Sequence, residues 1–428
     1  MALSLDVDSM AAPQLGPRIR LLQHALLWLV GFGCAIVSVE PSPYEVATLL
    51  AIIIFFATGL RMTPLLAALL VLQMLINIGY TTSAANLLDQ SKIISWISTS
   101  WYMAITALFF AMVLSDHTEE RLDRLARGCL AGAVVTSLAG IAGYFHAIPG
   151  GYELLTEYGR ARGFFKDPNV FGAFLILPAL LALQCILLER FGKAARNAMV
   201  FGIIALAVLL SFSRAAWGQL VCTSAFVVMM TFATSRSSTE RTKIVMIAII
   251  AAAVALLLLA ALLSVDSVGD LFKQRASLEQ SYDSGRFGRF GRHVLGFEMA
   301  LDLPLGIGPL QFSKFFPEDT HNSFLNAFMS GGWLAGICYP VLWFMTAAMG
   351  FRYLFVRTPW QRLYIAFFAA FLGTFVESFI IDTDHWRQYF MMLGAMWGMF
   401  AATQAFLAKA EARGEARTVA RQFATAAG

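Results

Sequence analysis

Seven cationic side chains and one histidine stand in segments between long apolar runs, in a pattern suited to holding phosphate. The cations are Arg160, Arg162, Lys166, Arg214, Arg286, Arg289 and Arg292, and the histidine is His321. Arginine matches phosphate oxygens with paired N–H donors and keeps its charge when partly desolvated. A neutral imidazole is the usual proton acceptor near pH 7. The residue types therefore predict a phosphate site with a proton-exchanging group nearby.

The first cationic segment leads directly into an apolar run. Asp167 and Pro168 predict a helix start, with a capping carboxylate followed by a residue that lacks an N–H. Capping does not explain the three cations ahead of it, nor Asn169 in the first turn. Because a helix N-terminus with arginine donors before it attracts anions, these residues are candidate phosphate ligands.

The second segment, residues 211–214, lies between two apolar runs and contains Ser213 and Arg214. It forms either a turn between two helices or a kink in a longer element. A charged residue at such a depth costs about 2.5–3.5 kcal/mol on insertion scales. Arg214 therefore either extends to the lipid headgroups or binds a phosphate.

The third segment, residues 319–326, opens another apolar run. Asp319 or Thr320 is expected to cap the helix, and His321 is either a polar interface residue or a general base, with Asn322 orienting the imidazole or a sugar. The pair Asp382 and Asp384 fits either a divalent metal site or an ordinary polar turn. Glu377 is expected to pair with one of the arginines.

These segments must be positioned by membrane helices. The chain of 428 residues is 58% apolar and 14% charged, and its mean hydropathy is +0.68, which is too apolar for a soluble globule. The apolar runs predict an all-α polytopic protein with about twelve spans of roughly 20 residues each. The predicted spans are 21–38, 45–60, 63–82, 95–114, 127–147, 170–188, 198–212, 215–233, 244–265, 323–349, 363–381 and 389–408.

The distribution of cations predicts the orientation. With both termini in the cytoplasm, every short cytoplasmic link carries Lys or Arg, as the positive-inside bias requires. The predicted organisation is a cytoplasmic N-terminus (1–20), a membrane domain (21–265), a periplasmic loop (266–322), a second membrane part (323–408) and a cytoplasmic tail (409–428). Within the loop, Arg286, Arg289, His293 and Phe297 share one side of a predicted amphipathic helix that ends at Asp302. The turn at 306–309 then returns the chain to the membrane.

Taken in this order, the segments resemble the O-antigen ligase and O-antigen polymerase superfamily of bacterial envelope glycosyltransferases. The resemblance covers residues 155–345. It rests on residues 162–164 with 167–169, on 211–214, on Gly285 and Arg286 ahead of 306–308, and on 321–325.

The resemblance implies a metal-independent enzyme without a cofactor, facing the periplasm from the bacterial inner membrane. It would transfer a glycan from undecaprenyl diphosphate to an acceptor saccharide. His321, Arg214 and Arg286 are the implied catalytic residues. The candidate substrate-binding residues are Arg160, Arg162, Lys166, Asn169, Ser213, Arg289 and Asn322.

Three functions remain open at this point. A polysaccharide polymerase is slightly favoured, and a ligase that attaches the glycan to lipid A core uses the same donor. A transporter of lipid-linked saccharide would also need cations, but it is expected to show an internal repeat and a polar path through both leaflets. The expected partners are the donor, the saccharide or lipid A core acceptor and the bilayer, with no nucleic acid because no basic binding module is present.

Overall fold

The helices are those of an all-α membrane protein. The computed structural model describes residues 16–264, 269–270, 272 and 285–412. The predicted cytoplasmic N-terminus up to residue 15, much of the first half of the 266–322 loop, and the tail beyond 412 lie outside the described residues. Along the described chain the helices are α1 (Pro17–Gly33), α2 (Pro43–Thr58), α3 (Pro64–Ser83), α4 (Ser91–Leu114), α5 (Thr118–Tyr144), α6 (Gly151–Leu155), α7 (Pro168–Phe174), α8 (Ile176–Leu188), α9 (Phe191–Leu210), α10 (Arg214–Thr234), α11 (Ser238–Leu263), α12 (Arg289–Leu301), α13 (Ser323–Tyr353), α14 (Gln361–Glu377) and α15 (Arg387–Ala412).

Nine helical stretches of the described chain are long and apolar enough to cross a membrane, and they correspond to nine of the twelve predicted spans. The other three predictions, 21–38, 45–60 and 363–381, fall on α1, α2 and α14, which have 17, 16 and 17 residues. At 1.5 Å per residue such helices reach only about 24–26 Å, somewhat short of a typical hydrocarbon core. The all-α polytopic class is confirmed, whereas the count of twelve spans is not.

Local sequence explains where several helices begin. Proline occupies the first position of α2, α3 and α7, where its missing N–H is not needed. The residue before each proline, Ser42, Thr63 or Asp167, can accept hydrogen bonds from the first turn. Asp167 does so from the N–H groups of Asn169 and Val170, so the predicted start of this helix is confirmed.

Glycines let the helices that support the site pack closely. A Cβ on Gly128 of α5 would lie 2.1 Å from the Trp28 carbonyl oxygen of α1, and one on Gly79 of α3 would lie 2.8 Å from the Gly331 carbonyl oxygen of α13. The C-terminal part of α5 then supports the first cationic segment, because the Thr136 hydroxyl accepts a hydrogen bond from the Phe164 N–H at 3.0 Å. Small residues at such interfaces are typical of membrane bundles.

The helix α13 bends where the loop before it returns. Gly332 has φ +62° and breaks the regular backbone. The carbonyl of Pro304 accepts a hydrogen bond from the Trp333 N–H at 2.9 Å, and the Met329 carbonyl accepts one from the Ile307 N–H at 2.7 Å. The predicted turn at 306–309 is therefore present, and it docks against the bend in α13.

Candidate functional site

The candidate residues gather at one end of the bundle, where α9 and α14 end and α10, α13 and α15 begin; we call this the site end. A short hairpin precedes α7 there. Its strands β1 (Thr156–Glu157) and β2 (Arg160–Ala161) pair antiparallel, with Glu157 opposite Arg160. Tyr158 and Gly159 turn the chain with φ of +50° and +70°. The hairpin thus brings Arg160 back into the protein.

Arg160 joins two of the predicted segments. Its side chain is largely buried, with the residue 8% exposed. Its Nε donates to the Ser211 carbonyl oxygen at 2.8 Å, and its Nη2 donates to Asn169 Oδ1 at 2.7 Å. The segments 160–169 and 211–214 are therefore adjacent in space, although about fifty residues separate Arg160 from Ser211 in the chain.

Arg162 and Lys166 contact other groups. The guanidinium of Arg162 donates to the carbonyl oxygens of Lys166 and Leu154, each at 3.3 Å. The ammonium of Lys166 is exposed and forms an ion pair with Glu40 at 2.5 Å. These contacts shape the loop before α7. The substrate role of both residues stays a prediction.

The second segment is a tight turn between two helices, which decides the alternative left open by the sequence. α9 ends at Leu210, Phe212 takes φ +47°, and α10 begins at Arg214. The Ser213 hydroxyl caps α10 by accepting from the Ala216 N–H at 3.4 Å. Arg214 is partly buried at the first position of α10. Its charge adds to the positive end of the helix dipole, which favours an anion there.

The predicted amphipathic helix is present as α12, but it is shorter than expected. It begins at Arg289 and ends at Leu301 with Asp302 following. The placement of Arg286 on this helix was wrong: Arg286 precedes it, is exposed, and lies over the Phe287 ring at 5.7 Å. The glycine at 288 takes extended backbone and forms the N-cap, so the helical register starts after Arg286.

Two side chains of α12 attach it to the loop that precedes α13. Arg292 is 2% exposed, and its Nη2 donates to Glu318 at 2.6 Å. The His293 ring nitrogen Nε2 lies 2.9 Å from the Thr320 carbonyl oxygen. Arg289 extends further, donating from Nη1 to the Ile380 carbonyl oxygen at 3.5 Å. α12 thus fixes the segment around His321 and places a guanidinium beside the end of α14.

Asp382 holds the backbone of residues 320–322. Its Oδ1 accepts from the Thr320 hydroxyl at 2.8 Å and from the Asn322 N–H at 3.0 Å, while Oδ2 accepts from the His321 N–H at 3.0 Å. His321 has φ +45°, a region that non-glycine residues rarely adopt. Its Nδ1 lies 3.9 Å from Asp382 Oδ2. The carboxylate therefore fixes both the backbone and the charge environment of the histidine.

Asn322, rather than Asp319 or Thr320, caps α13. Its Oδ1 accepts from the N–H groups of Phe324 and Leu325, both at 3.0 Å, and its Nδ2 donates to the Phe379 carbonyl oxygen at 3.1 Å. The prediction of an acidic or threonine cap was wrong: Thr320 donates its hydroxyl to Asp382 instead, and Asp319 lies three residues before the cap position. The sugar-binding role of Asn322 is not tested by these contacts.

The protonation of the two central groups follows from their surroundings. Burial and the positive charge of Arg289 lower the pKa of His321 below its usual value, so the imidazole is neutral at pH 7. Burial and the neighbouring Asp384 carboxylate raise the pKa of Asp382 to about 7, against the opposing effect of its hydrogen bonds. A neutral imidazole is able to accept a proton at pH 7.

The remaining acidic residues make other contacts. Asp384 accepts from Asn326 Nδ2 at 2.8 Å and lies 3.4 Å from His385 Nδ1. The described residues contain no group of three or more His, Cys, Asp or Glu side chains placed to share a metal ion.

Glu377 is 3% exposed, and the Gln219 amide can donate to it at 3.2 Å. The expected pairing of Glu377 with an arginine is not found among the described residues.

The sequence did not identify Asp382 as the residue that positions His321. The two residues are 61 positions apart, and the acidic turn at 382–384 resembled a short, common polar motif. Only the packing of the end of α14 against the start of α13, where the Ser323 N–H donates to the Ser378 carbonyl oxygen at 2.9 Å, brings them together.

Comparison with known proteins supports the resemblance. Residues 199–339 match the family model described as O-antigen ligase. The match includes Arg214, Arg286, Arg289, His321 and Asn322, whereas the hairpin and the start of α7 lie before it. No curated protein matches the chain. This match covers about a third of the chain, and together with the all-α membrane bundle it supports membership in the O-antigen ligase and polymerase superfamily, whose members process surface glycans.

Proposed function

We propose that the protein is a metal-independent glycosyltransferase at the periplasmic face of the bacterial inner membrane. It would move a glycan from undecaprenyl diphosphate to an acceptor saccharide. The observation that carries this proposal is the His321 imidazole, which is partly exposed, kept neutral by burial and by the charge of Arg289, and carried on a backbone that Asp382 holds. The family match supports the reaction class.

The proposed reaction is a substitution at the anomeric carbon of the donor. An acceptor hydroxyl forms the new C–O bond while the bond from that carbon to the diphosphate oxygen breaks. His321 takes the proton of the hydroxyl, and undecaprenyl diphosphate leaves with the bonding electron pair. Because negative charge develops on the leaving group, fixed guanidinium groups stabilise the transition state. Arg214 at the start of α10 and Arg289 at the start of α12, beside the end of α14, are the best-placed candidates.

Arg160 would act with them in a supporting role. Two of its donor nitrogens are bound to Ser211 and Asn169, so the side chain orders the turn that carries Arg214. Arg162, Lys166 and the exposed Arg286 are proposed to contact the diphosphate from the loops. Ser213 already caps α10, and its proposed contact with substrate would add to that role.

A polymerase and a ligase differ in the acceptor that receives the glycan. We favour the polymerase, with transfer to lipid A core by a ligase as the alternative. Both reactions use the same donor and the same charges. The glycan that remains on the lipid carrier in a deletion strain distinguishes them, because single repeat units indicate a lost polymerase and long chains a lost ligase.

The test of the proposed base is His321→Asn. Asparagine tolerates a positive φ, so the backbone at φ +45° is retained while the proton acceptor is lost. We expect transfer by the purified, reconstituted protein to fall at least about a hundredfold, within the range that general-base catalysis contributes. Arg214→Ala is expected to cause a similar loss, with lipid-linked donor accumulating in cells.

The matched control is His117→Asn. His117 also has a positive φ, of +47°, but it precedes α5 far from the candidate residues. It should retain wild-type transfer. Normal turnover by both His321→Asn and Arg214→Ala would contradict the proposed function.

A further inference from the structure

A cavity lies at the site end beside Asp382. Its volume is about 390 Å³, within the range of small-molecule sites. It is bordered by α4, the loop before α13, the first turns of α13 and the link between α14 and α15. The lining residues that carry the argument are Trp96, Thr99, Asn326, Asp382, Asp384 and His385.

The lining combines an aromatic wall with hydrogen-bonding groups. The Trp96 ring packs on His385 with centroids 4.2 Å apart, which fixes the orientation of both rings. Behind it, the buried Tyr80 meets Trp96 edge-on at 4.9 Å, and its hydroxyl has no hydrogen-bond partner among the described residues. Carboxylates and amides accept or donate to ligand hydroxyls, while an aromatic ring covers an apolar face. This combination suits a ligand that carries many hydroxyl groups on a ring.

The charge of the cavity is mainly negative. Its lining includes the four carboxylates of Glu40, Asp319, Asp382 and Asp384 and a single lysine, Lys92. Glu40 is paired with Lys166 and Arg387, so three carboxylates remain against Lys92. Like charges repel strongly at short range in a partly buried site. A diphosphate or an acidic sugar would therefore be disfavoured here, whereas an uncharged saccharide can donate its hydroxyl hydrogens to the carboxylates.

Asp382 connects the cavity to the segment that carries His321. It lines the cavity, and its two carboxylate oxygens also accept from the Thr320 hydroxyl and from the N–H groups of His321 and Asn322. A hydroxyl group that reaches Asp382 from the cavity is thus close to His321. The arrangement places a hydroxyl-bearing ligand next to the proposed base.

We propose that this cavity binds the terminal sugar of the acceptor as an uncharged saccharide, with Trp96 as its aromatic wall and Asp384 among its hydrogen-bond acceptors. The inference rests on the proposed function, since it names the class of acceptor and the residues that select it. It assigns α4 a role in recognising the acceptor.

The experiment measures donor and acceptor dependence separately in reconstituted protein, with lipid-linked donor and neutral glycan acceptor isolated from the same cells. Trp96→Ala and Asp384→Asn should each raise the KM for the acceptor by about tenfold, which corresponds to the loss of one good contact. The KM for the donor should change less than about twofold, and kcat should change less than the acceptor KM. Ser95→Phe, which adds bulk from the cavity-facing side of α4, should have the same effect without removing a polar contact.

Trp28→Ala is the matched control, because Trp28 lies on α1 and stacks on Phe32 away from the cavity. It should leave both KM values unchanged. If the wild type transfers glycan while Trp96→Ala, Asp384→Asn and Ser95→Phe all keep the wild-type acceptor KM, the cavity is not the acceptor site. If the wild type transfers no glycan at all, it is the proposed function that fails. If Trp96→Ala does not fold, Ser95→Phe still tests the inference, because Ser95 is exposed and its replacement removes no buried side chain.

Discussion

At the scale of single residues, the proposed reaction requires the neutral form of His321. Burial and the charge of Arg289 both disfavour the imidazolium, while Glu318 and Asp319 favour it. Arg289 therefore has two proposed roles: it faces the donor diphosphate, and it keeps the neighbouring histidine able to accept a proton. The two roles can be tested separately, because only the effect on the pKa of His321 changes the pH dependence of kcat.

We predict that Arg289→Gln moves the acid limb of the kcat profile to higher pH. The positive charge lowers the pKa of His321, so its removal raises that pKa and leaves more imidazolium at pH 6. The measurement is kcat of reconstituted protein between pH 5 and 8 at saturating donor, so that weakened donor binding does not contribute. Arg357→Gln, an exposed residue between α13 and α14, should leave the profile unchanged. An unmoved acid limb, or a shift to lower pH, would contradict the role of His321 as base.

At the scale of elements, α12 and the paired helices α1 and α5 position the candidate segments. α12 is fixed by the buried Arg292, one of the seven cations of the predicted phosphate site, which pairs with Glu318. The α1 and α5 pair supports the hairpin segment: the Val37 N–H, just after α1, donates to the Phe164 carbonyl oxygen at 2.9 Å. Close packing of these helices is therefore required far from the arginines themselves.

We predict that Gly128→Ala destabilises the protein severely. An added methyl group would lie 2.1 Å from the Trp28 carbonyl oxygen, with backbone atoms of Phe32 also nearby at 3.0 Å. Because backbone atoms cannot move aside as a flexible side chain can, the helices must separate, at a cost of about 3 kcal/mol or more. Thermal unfolding in detergent, followed by tryptophan fluorescence, measures the effect.

Gly202→Ala is the control for the same chemical change. Gly202 lies inside α9, and nothing is within 4 Å of an added Cβ there. Alanine favours helix over glycine by up to about 1 kcal/mol, so this variant should match or exceed wild-type stability. Equal stabilities of Gly128→Ala and Gly202→Ala would show that α1 and α5 are not packed as described.

At the scale of the whole molecule, all candidate residues lie at one end of a membrane bundle. The end of α9 and the starts of α10 and α13 share this end, and the loop from α12 covers it. A one-sided site is expected of an enzyme that meets a lipid-linked donor at one surface, whereas a transporter needs polar groups along a path through both leaflets.

We predict from the cation distribution that the site end faces the periplasm. In a variant whose five cysteines are replaced by alanine, Ser313→Cys in the loop before α13 should react with a membrane-impermeant maleimide added to intact spheroplasts. Arg357→Cys at the opposite end should react only after lysis. Both positions are exposed, so solvent access is matched. The reverse labelling pattern would invert the orientation and exclude a periplasmic donor site.

The sequence alone determined the class of protein and the location of most helices. Apolar runs of 20 residues are a one-dimensional signal, because each spanning helix must satisfy its own backbone hydrogen bonds in lipid. Short helices such as α1, α2 and α14 lie at the limit of that signal. Local patterns also indicated the start of α7 and the amphipathic α12, since capping and helical periodicity act within a few residues.

Only the tertiary structure decided how the charged residues are combined. Arg160 binds Ser211, about 50 positions away, and Asp382 fixes the backbone of His321, 61 positions away. The carboxylate-lined cavity beside Asp382 combines residues that are still further apart. Such pairs carry no fixed spacing, because loops of any length can connect helices whose ends meet. The residue types could therefore indicate phosphate and proton chemistry, whereas the contacts that bring these residues together follow from how the helix ends pack.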